Sequence, residues 1–275
     1  MTRLTVLLIT LMFLSSCNNA TKEDSVKNEK QDSTHVAKQP NGIHICVDRL
    51  PCEFPNPDGT KPAGGLNSKV WKNLSKNSFG KQIINVRFLE GSEYLKNKVI
   101  QYARQWEPIA NIEFKFYDIS NDPNSDPEIK ITFREGDGSW SYLGNDSKYF
   151  SPSMNYGWFD NFTPDEEFSR VILHEFGHAL SLIHEHQNPR NNPINWNKES
   201  VYKYFSGSPN FWSKKEIDEN LFSKYSIDQI NGSSFDPNSI MLYGFPATLT
   251  LDGKGTKDNA TLSELDKKVV KSLYK

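Results

Sequence analysis

Four of the six histidines in this 275-residue chain lie within thirteen residues, in the segment VILHEFGHALSLIHEH from Val171 to His186. His174 and His178 are four residues apart, so on a helix both rings project from one face and can bind the same metal ion. Glu175 lies about 100° around the helix from His174, where its carboxylate can reach a water molecule on that ion without taking a coordination position. The segment therefore predicts a metal site with two helical ligands and a general base.

His184 is the candidate third ligand that a catalytic zinc site needs beside one open position. On a continuing helix its ring would point about 240° away from that of His178, so it could not reach the same ion. We therefore expect the helix to end between His178 and His184, and His174, His178 and His184 to hold one Zn²⁺. A helix with incidental histidines is the alternative, and the third histidine at this spacing argues against it.

The helix that carries this segment has a marked beginning. Thr163 is predicted to be its N-cap, Pro164 its first helical residue and Glu166 the partner of Thr163 in a capping box. Apolar residues then recur at helical spacing along one stripe: Phe168, Val171, Ile172, Phe176, Ala179 and Leu180.

Upstream of this helix, the hydrophobic pattern predicts a region of mixed α and β structure. The predicted strands are residues 82–89, 111–119, 128–133, 140–143 and 154–159, and the predicted helix is 92–106. The acidic loop 122–128 is interpreted as a solvated turn, with calcium binding as the alternative. After the histidine segment the pattern is irregular, and only a final helix over 262–274 is predicted.

The N-terminus has the pattern of a targeting segment. Arg3 precedes an apolar run of eleven residues, which is too short to span a bilayer as a helix. The sequence Leu14-Ser15-Ser16-Cys17 resembles a bacterial lipobox, so we expect residues 1–17 to be a lipoprotein signal peptide and Cys17 to be lipidated. The expected location is an exported, membrane-anchored lipoprotein, periplasmic or on the cell surface. A plain secretory signal with an incidental cysteine is the alternative.

Composition then divides the rest of the chain into two parts. Residues 18–42 are polar and nearly devoid of large apolar side chains, so they are expected to form a flexible tether. The folded domain is predicted to span residues 43–275.

Two further cysteines, Cys46 and Cys52, lie at the start of this domain with Pro51 between them. A disulfide between them is the first interpretation, because export implies an oxidising setting. It requires the chain to turn near Pro51, since an extended chain would hold the two Cα atoms about 20 Å apart. A thiolate that caps the metal in a latent form, and unpaired thiols, are the alternatives.

The segment from His174 to His184 resembles the HExxHxxGxxH signature of the metzincins, a group of zinc endopeptidases. Their second hallmark is a methionine-containing turn, which Ser239-Ile240-Met241-Leu242-Tyr243 resembles. The resemblance implies that Met241 packs beneath the metal-binding histidines. A tyrosine two positions later is typical of the astacin branch, which implies that Tyr243 approaches the metal and stabilises the oxyanion.

The resemblance to the astacin branch covers residues 71–275, and it has departures. Ser181 replaces the glycine of the signature, which permits a left-handed turn that a Cβ resists by about 1 kcal/mol. In astacins a glutamate after the third ligand meets the freed N-terminus, a role open to Glu185 only if cleavage of the tether frees an amine. His186 is expected to be a surface histidine or to lie just behind the metal ligands.

The fold that the resemblance implies is an α+β, metzincin-like zinc protease domain. It has a twisted sheet, mostly antiparallel or mixed, an active-site helix and an irregular C-terminal subdomain after about residue 184. An edge strand near Trp140 is expected to bind an extended peptide by β-augmentation.

The activity that the resemblance implies is zinc-dependent hydrolysis of a polypeptide, with Glu175 as the general base and Tyr243 assisting. A catalytically weak or inactive lipoprotein that works as a binding module, and a zinc hydrolase of a non-peptide substrate, are the alternatives. The net charge of −2 and the lack of a basic stripe give no electrostatic basis for a nucleic-acid partner. A membrane is expected to be a partner through the lipid alone, and the oligomeric state is not predicted.

Overall fold

The computed structural model describes residues 46–49, 66–120, 126–208, 210–227, 230 and 234–275. Its strands are β1 (Val47–Arg49), β2 (Gln82–Phe88), β3 (Ile112–Asp118), β4 (Ile129–Thr132), β5 (Ser139–Tyr142) and β6 (Met154–Tyr156). Its helices are α1 (Leu66–Lys69), α2 (Glu93–Ala103), α3 (Asp165–Ala179), α4 (Lys198–Phe205), α5 (Lys214–Ile217) and α6 (Glu264–Leu273). The predicted signal peptide and tether, Cys17, Cys52 and most of the acidic loop lie outside the described residues.

The six described strands form one mixed sheet in the order β1-β5-β6-β4-β2-β3. Four of its pairings are parallel, and that of β5 with β6 is antiparallel. A mixed sheet is confirmed, but the expectation of mostly antiparallel pairing is wrong. Helix α2 connects β2 to β3 and returns the chain to the same end of the sheet, so the two strands pair in parallel, with Gln82 beside Ile112.

The hydrophobic core lies between this sheet and helices α2 and α3. On β3, Ile112 and Phe114 are buried, as the alternating pattern predicts. The ring of Phe114 meets that of Phe176 on α3 edge to face, with the ring centroids 5.0 Å apart. Helix α2 begins where the pattern predicts, because the hydroxyl of its N-cap, Ser92, accepts a hydrogen bond from the N–H of Leu95.

Helix α3 begins one residue later than predicted, without the expected capping box. Pro164 is the N-cap and has an extended backbone, with no side-chain hydrogen bond at the cap. The hydroxyl of Thr163 instead donates to the carboxylate of Asp160 at 2.9 Å and accepts from the N–H of the same residue. Three acidic residues in the first turn stabilise this end of α3 through the helix dipole.

The other end of α3 is a sharp reversal of the chain. Ser181 has a φ of 74°, and its N–H donates to the carbonyl of His178 at 2.8 Å. The N–H of Leu182 donates to the carbonyl of Gly177 at 2.9 Å. These two bonds make a Schellman motif, with Ser181 at the position that usually holds glycine. The chain therefore turns back between His178 and His184, as the ligand spacing requires.

The C-terminal part of the chain is irregular after His184, with the short helices α4, α5 and α6. Helix α6 agrees with the helix predicted over 262–274 and begins with a capping box between Ser263 and Asp266. Within the described part of the chain, no helix combines the length and the apolar character that crossing a bilayer requires.

The conformation of Ser181 yields a prediction about stability. Ser181→Gly is expected to unfold with a free energy about 1 kcal/mol higher than that of Ser181→Ala, because glycine alone adopts a positive φ without steric strain. Both variants lack the hydroxyl, so the comparison isolates the backbone. Urea denaturation followed by circular dichroism measures the difference, and equal stabilities would show that the turn is unstrained.

Candidate metal centre

His174 and His178 lie one helical turn apart on α3, and both are buried. Nδ1 of His174 donates to the carbonyl of Ile240 at 2.8 Å, and Nδ1 of His178 donates to the carbonyl of Leu182 at 3.0 Å. Because a carbonyl only accepts, these bonds place the proton of each neutral ring on Nδ1. The Nε2 atom of each ring then presents its lone pair to the centre.

The reversal after α3 brings His184 to the same point. Nε2 of His178 lies 3.1 Å from Nε2 of His174 and 3.0 Å from Nε2 of His184. A tetrahedral zinc site with bonds of about 2.0–2.1 Å separates its nitrogens by about 3.3 Å. The three rings therefore converge as the ligands of one zinc ion do.

The protonation of His174 agrees with this arrangement. Burial, and then the neighbouring His178 and His184, hold the pKa of His174 well below its usual value. His174 is therefore neutral at physiological pH, which is the form that binds a metal. The Nε2 lone pairs of His174 and His178 face each other at 3.1 Å, and a cation at this point would bind both.

Glu175 faces the same centre from the next position on α3. Its side chain is fully buried, and a carboxylate oxygen lies within 4.8 Å of a ring nitrogen of His174. The structure thus places the predicted general base beside the three histidines, which keep their positions as ligands.

Met241 lies in the turn beneath the helix, as the resemblance implies. A Cβ added to Gly177 would come within 2.5 Å of the Met241 sulfur, so this glycine lets the turn approach the helix backbone. The turn also holds the two parts of the centre together. The carbonyl of Ile240 binds the ring of His174, and the carbonyl of Met241 accepts from the N–H of Glu185 at 2.9 Å, next to His184.

Tyr243 reaches the centre from the same turn. Its hydroxyl oxygen lies 3.2 Å from Nε2 of His174 and also contacts Nε2 of His184. The hydroxyl donates to the backbone carbonyl of Cys46 at 2.7 Å. The phenol is therefore positioned beside any oxygen that approaches the centre.

Cys46 is a free, buried thiol in this structure, contrary to the predicted disulfide with Cys52. Its sulfur lies within 4.8 Å of a ring nitrogen of His174 and of a carboxylate oxygen of Glu175. The thiol thus contacts His174 and Glu175 as a free cysteine, so the first interpretation does not hold in this structure. Cys52 itself lies outside the described residues.

Sequence reasoning missed Asp266, which anchors the methionine-containing turn. Its buried carboxylate accepts from the hydroxyl of Ser239 at 2.7 Å and from the N–H of Ile240 at 2.8 Å. The same carboxylate completes the capping box with Ser263. The Ser-x-x-Asp spacing is visible in the sequence, but its second use as a clamp on the turn is not.

Glu185 and His186 lie behind the centre. Burial raises the pKa of Glu185 to about 7, although its carboxylate accepts hydrogen bonds from Asn188 and from the N–H of Asp236, each at 2.9 Å. Nε2 of His186 donates to the carbonyl of Asn220 at 2.8 Å, and its ring stacks on that of His184 at 5.2 Å. His186 is fully buried, so it supports a metal ligand and is not a surface residue.

Comparison with known proteins identifies the family. Residues 72–275 match the family described as Astacin (Peptidase family M12A). The chain belongs to the astacin family. The family uses one catalytic zinc ion, and His174, His178 and His184 form the site that fits it.

Solved and curated relatives agree with this membership. Two solved structures of myroilysin are 42% and 39% identical to the chain, with TM-scores of 0.68 and 0.54. The two matches cover 76% and 84% of this chain, and 97% and 98% of the respective myroilysin chains. Zinc metalloproteinase nas-36 of Haemonchus contortus is 27% identical over 82% of the chain, and Protein SpAN of Strongylocentrotus purpuratus is 28% identical over 57%. The chain spans 31% and 23% of the lengths of these two curated proteins.

Membership and geometry together predict the metal content. The purified astacin-family domain is expected to hold one zinc ion per chain, and His184→Phe is expected to lose nearly all of it, because two helical ligands remain. His186→Phe is the matched control, since phenylalanine keeps an aromatic ring beside His184 and loses only the hydrogen bond to the carbonyl of Asn220. Plasma mass spectrometry after dialysis measures zinc per chain, and equal loss in both variants would contradict the assignment of His184.

Proposed function

We propose that this protein is an endopeptidase that hydrolyses peptide bonds at the three-histidine centre. The observation that carries the proposal is the convergence of three Nε2 atoms on one point that Glu175 and Tyr243 also face. A bound zinc ion supplies two things there: it lowers the pKa of water toward 7 and it polarises the scissile carbonyl. The substrate class is part of the proposal, because the chain spans only a part of its curated relatives.

The proposed role of Glu175 is proton transfer. Its buried carboxylate accepts a proton from the attacking water and passes it to the leaving amine. Its place directly after His174 on a rigid, buried helix fixes the distance between base and ligands. The backbone carbonyls of Ile240 and Leu182 hold the two helical rings in a fixed orientation, with Nε2 of each directed to the centre.

The proposed role of Tyr243 is to stabilise the negative charge that develops on the carbonyl oxygen. Its hydroxyl is a donor within 3.2 Å of a ligand nitrogen, so it lies within hydrogen-bond reach of an oxygen at the same centre. Here the hydroxyl donates to a backbone carbonyl of the chain itself, which is the kind of group a peptide substrate presents.

The proposed substrate-binding element is β5, the strand that contains Trp140. It lies next to the outer position of the sheet, with β6 on its inner side. In this structure β1 of the same chain pairs with its outer edge, which shows that this edge accepts an extended backbone.

The conformation of Ser181 argues against the binding-module alternative. A side chain in place of the signature's glycine would weaken the metal site if it prevented the reversal of the chain. Ser181 nevertheless adopts a φ of 74° and closes the Schellman motif, so His184 reaches the other two rings. An intact base beside intact ligands favours catalysis over simple binding.

Glu175 gives the sharpest test of this mechanism. Glu175→Gln is expected to keep one zinc ion per chain and to lower kcat/KM on casein or a fluorogenic peptide by on the order of 10²–10⁴-fold, because the base is lost and the ligands are not. Hydrolysis and zinc content are measured together, with and without a chelator.

Tyr243→Phe is the comparison variant, for which we expect a smaller loss of activity than for Glu175→Gln. It is expected to keep zinc and KM and to lower kcat by on the order of 10²-fold, the cost of one oxyanion donor. Full activity of Glu175→Gln would refute the mechanism, and chelator-insensitive hydrolysis by the wild type would refute the metal-dependent reaction altogether.

We also propose that the protein is exported and held at a membrane by a lipid on Cys17. The support is the apolar run of the N-terminus followed by Leu14-Ser15-Ser16-Cys17. Two or more acyl chains anchor a protein stably, since each buried CH₂ contributes about 0.8 kcal/mol.

Cys17→Ala is therefore expected to abolish labelling by a radioactive fatty acid and to move the protein from the membrane fraction to the soluble fraction. Labelling of wild-type protein in growing cells, followed by fractionation, measures both effects. Cys52→Ala is the control for the loss of a cysteine, and unchanged labelling of Cys17→Ala would overturn the anchor.

A further inference from the structure

Residues 256–260, called the brace segment below, lie between the methionine-containing turn and α6 and contact the backbone that follows Tyr243. The hydroxyl of Thr256 donates to the carbonyl of Tyr243 and accepts from the N–H of Phe245 at 2.8 Å. The N–H of Thr256 donates to the carbonyl of Phe245 at 2.9 Å. One threonine thus binds three backbone groups of the chain that carries the phenol.

Asp258 binds the residue between them. Its carboxylate accepts a hydrogen bond from the N–H of Gly244 at 2.9 Å. A Cβ added to Gly244 would come within 2.6, 2.7 and 2.8 Å of the three atoms of this carboxylate, so the absence of a side chain is what permits the close approach. Tyr243, Gly244 and Phe245 therefore each bond to Thr256 or Asp258.

The brace segment also connects this part of the chain to the elements that carry the metal ligands. The side-chain amide of Asn259 donates to the carbonyls of Ser239, at 2.9 Å, and Pro237, at 3.1 Å, where the turn begins. The hydroxyl of Ser169, on α3, donates to the carbonyl of Ala260 at 2.6 Å. The segment therefore joins the helix that carries two ligands to the turn that carries the phenol.

The position of the Tyr243 hydroxyl follows from the position of its backbone. The side chain is 1% exposed, and its ring packs against those of His174, His184 and Phe245, with centroids 5.0, 4.7 and 5.8 Å away. A tyrosine has only two side-chain torsions, and packing on this scale fixes both. A displacement of about 1 Å at a group that acts on the reacting atoms can lower a rate on the order of 10²-fold.

We propose that Thr256 and Asp258 are positioning residues for the oxyanion donor. They hold residues 243–245 so that the hydroxyl of Tyr243 lies within hydrogen-bond reach of an oxygen at the metal centre. This inference rests on the role proposed above for Tyr243, and it identifies the side chains that fix where that hydroxyl lies.

The metal ligands depend on a different part of the turn. The carbonyl of Ile240 orients the ring of His174, and Asp266 accepts from the N–H of Ile240 at 2.8 Å. Loss of a hydrogen bond from Thr256 or Asp258 is therefore expected to leave the zinc content unchanged. It is expected to lower kcat and not to raise KM, because an oxyanion contact is made in the transition state and not in the bound substrate.

Paired substitutions in the full-length protein separate the hydrogen bonds from the packing. Thr256→Val keeps the shape and loses the hydroxyl, whereas Thr256→Ser keeps the hydroxyl. Asp258→Ala removes the acceptor for Gly244, whereas Asp258→Asn keeps one. We expect Thr256→Val and Asp258→Ala to lower kcat on a fluorogenic peptide by about tenfold, within the loss on the order of 10²-fold expected of Tyr243→Phe. Thr256→Ser and Asp258→Asn are expected to stay close to the wild type.

A double-mutant cycle distinguishes positioning from a general structural role. In a Tyr243→Phe background, Thr256→Val and Asp258→Ala are expected to cause no further loss of kcat, because the hydroxyl that they position is gone. Asp252→Ala is the matched control, since this exposed aspartate in the same connection accepts from the N–H of Lys254 at 3.3 Å. Equal losses in both backgrounds, loss of zinc, or wild-type kcat in Thr256→Val and Asp258→Ala would overturn the proposal.

A crystal structure of Thr256→Val gives a readout that needs no activity. The hydroxyl oxygen of Tyr243 lies 3.2 Å from Nε2 of His174. This distance is expected to lengthen by about 1 Å, the scale of displacement that is costly to a reaction. An unchanged distance overturns the positioning role, whether or not the protein hydrolyses peptides.

Failure of the proposed function has a separate signature. A wild type that never hydrolyses peptides refutes that function, and a lengthened distance in Thr256→Val still supports the placement of the hydroxyl by the brace segment. A Tyr243→Phe variant as active as the wild type overturns the oxyanion role and this inference with it, while hydrolysis at the three-histidine centre stands.

Discussion

The reversal of the chain at the end of α3 is the constraint on which the metal centre depends. His178 and His184 cannot face one ion from a continuous helix, because six residues rotate the second ring by about 240°. The Schellman bonds from Ser181 and Leu182 end the helix within two residues of Ala179 and direct His184 back toward the other rings. A residue with a Cβ adopts the left-handed conformation there, at a cost of about 1 kcal/mol.

A second constraint fixes the reversed chain against the helix. The methionine-containing turn offers the carbonyl of Ile240 to the ring of His174 and the carbonyl of Met241 to the backbone beside His184. Asp266, at the start of α6, holds this turn through two hydrogen bonds. The last helix of the chain therefore contributes to the metal centre through this turn. Buried imidazoles and a buried carboxylate are costly in an apolar interior, and a bound cation offsets that cost, so metal binding and folding are coupled.

Much of this centre could be predicted from the sequence, because its parts obey local rules. The spacing of His174 and His178 places them on one helix face, and the position of His184 requires the helix to end before it. The structure shows the shared face and the end of the helix. The direction of the strands was harder, since alternation along β2 and β3 is the same for parallel and antiparallel pairs; the helix between them was the available signal. The capping box failed because Asp160 competes for Thr163. The position of Cys46 could not be derived, because it depends on a contact across 128 residues of chain.

The account rests on three imidazoles that bind a single zinc ion. X-ray absorption at the zinc edge of the purified full-length protein measures the number, type and distance of the ligands directly. We expect three imidazole nitrogens at about 2.0–2.1 Å, with the outer-shell scattering that histidine rings produce. A spectrum that requires two imidazoles or fewer would show that His184 does not join His174 and His178, and would contradict the account.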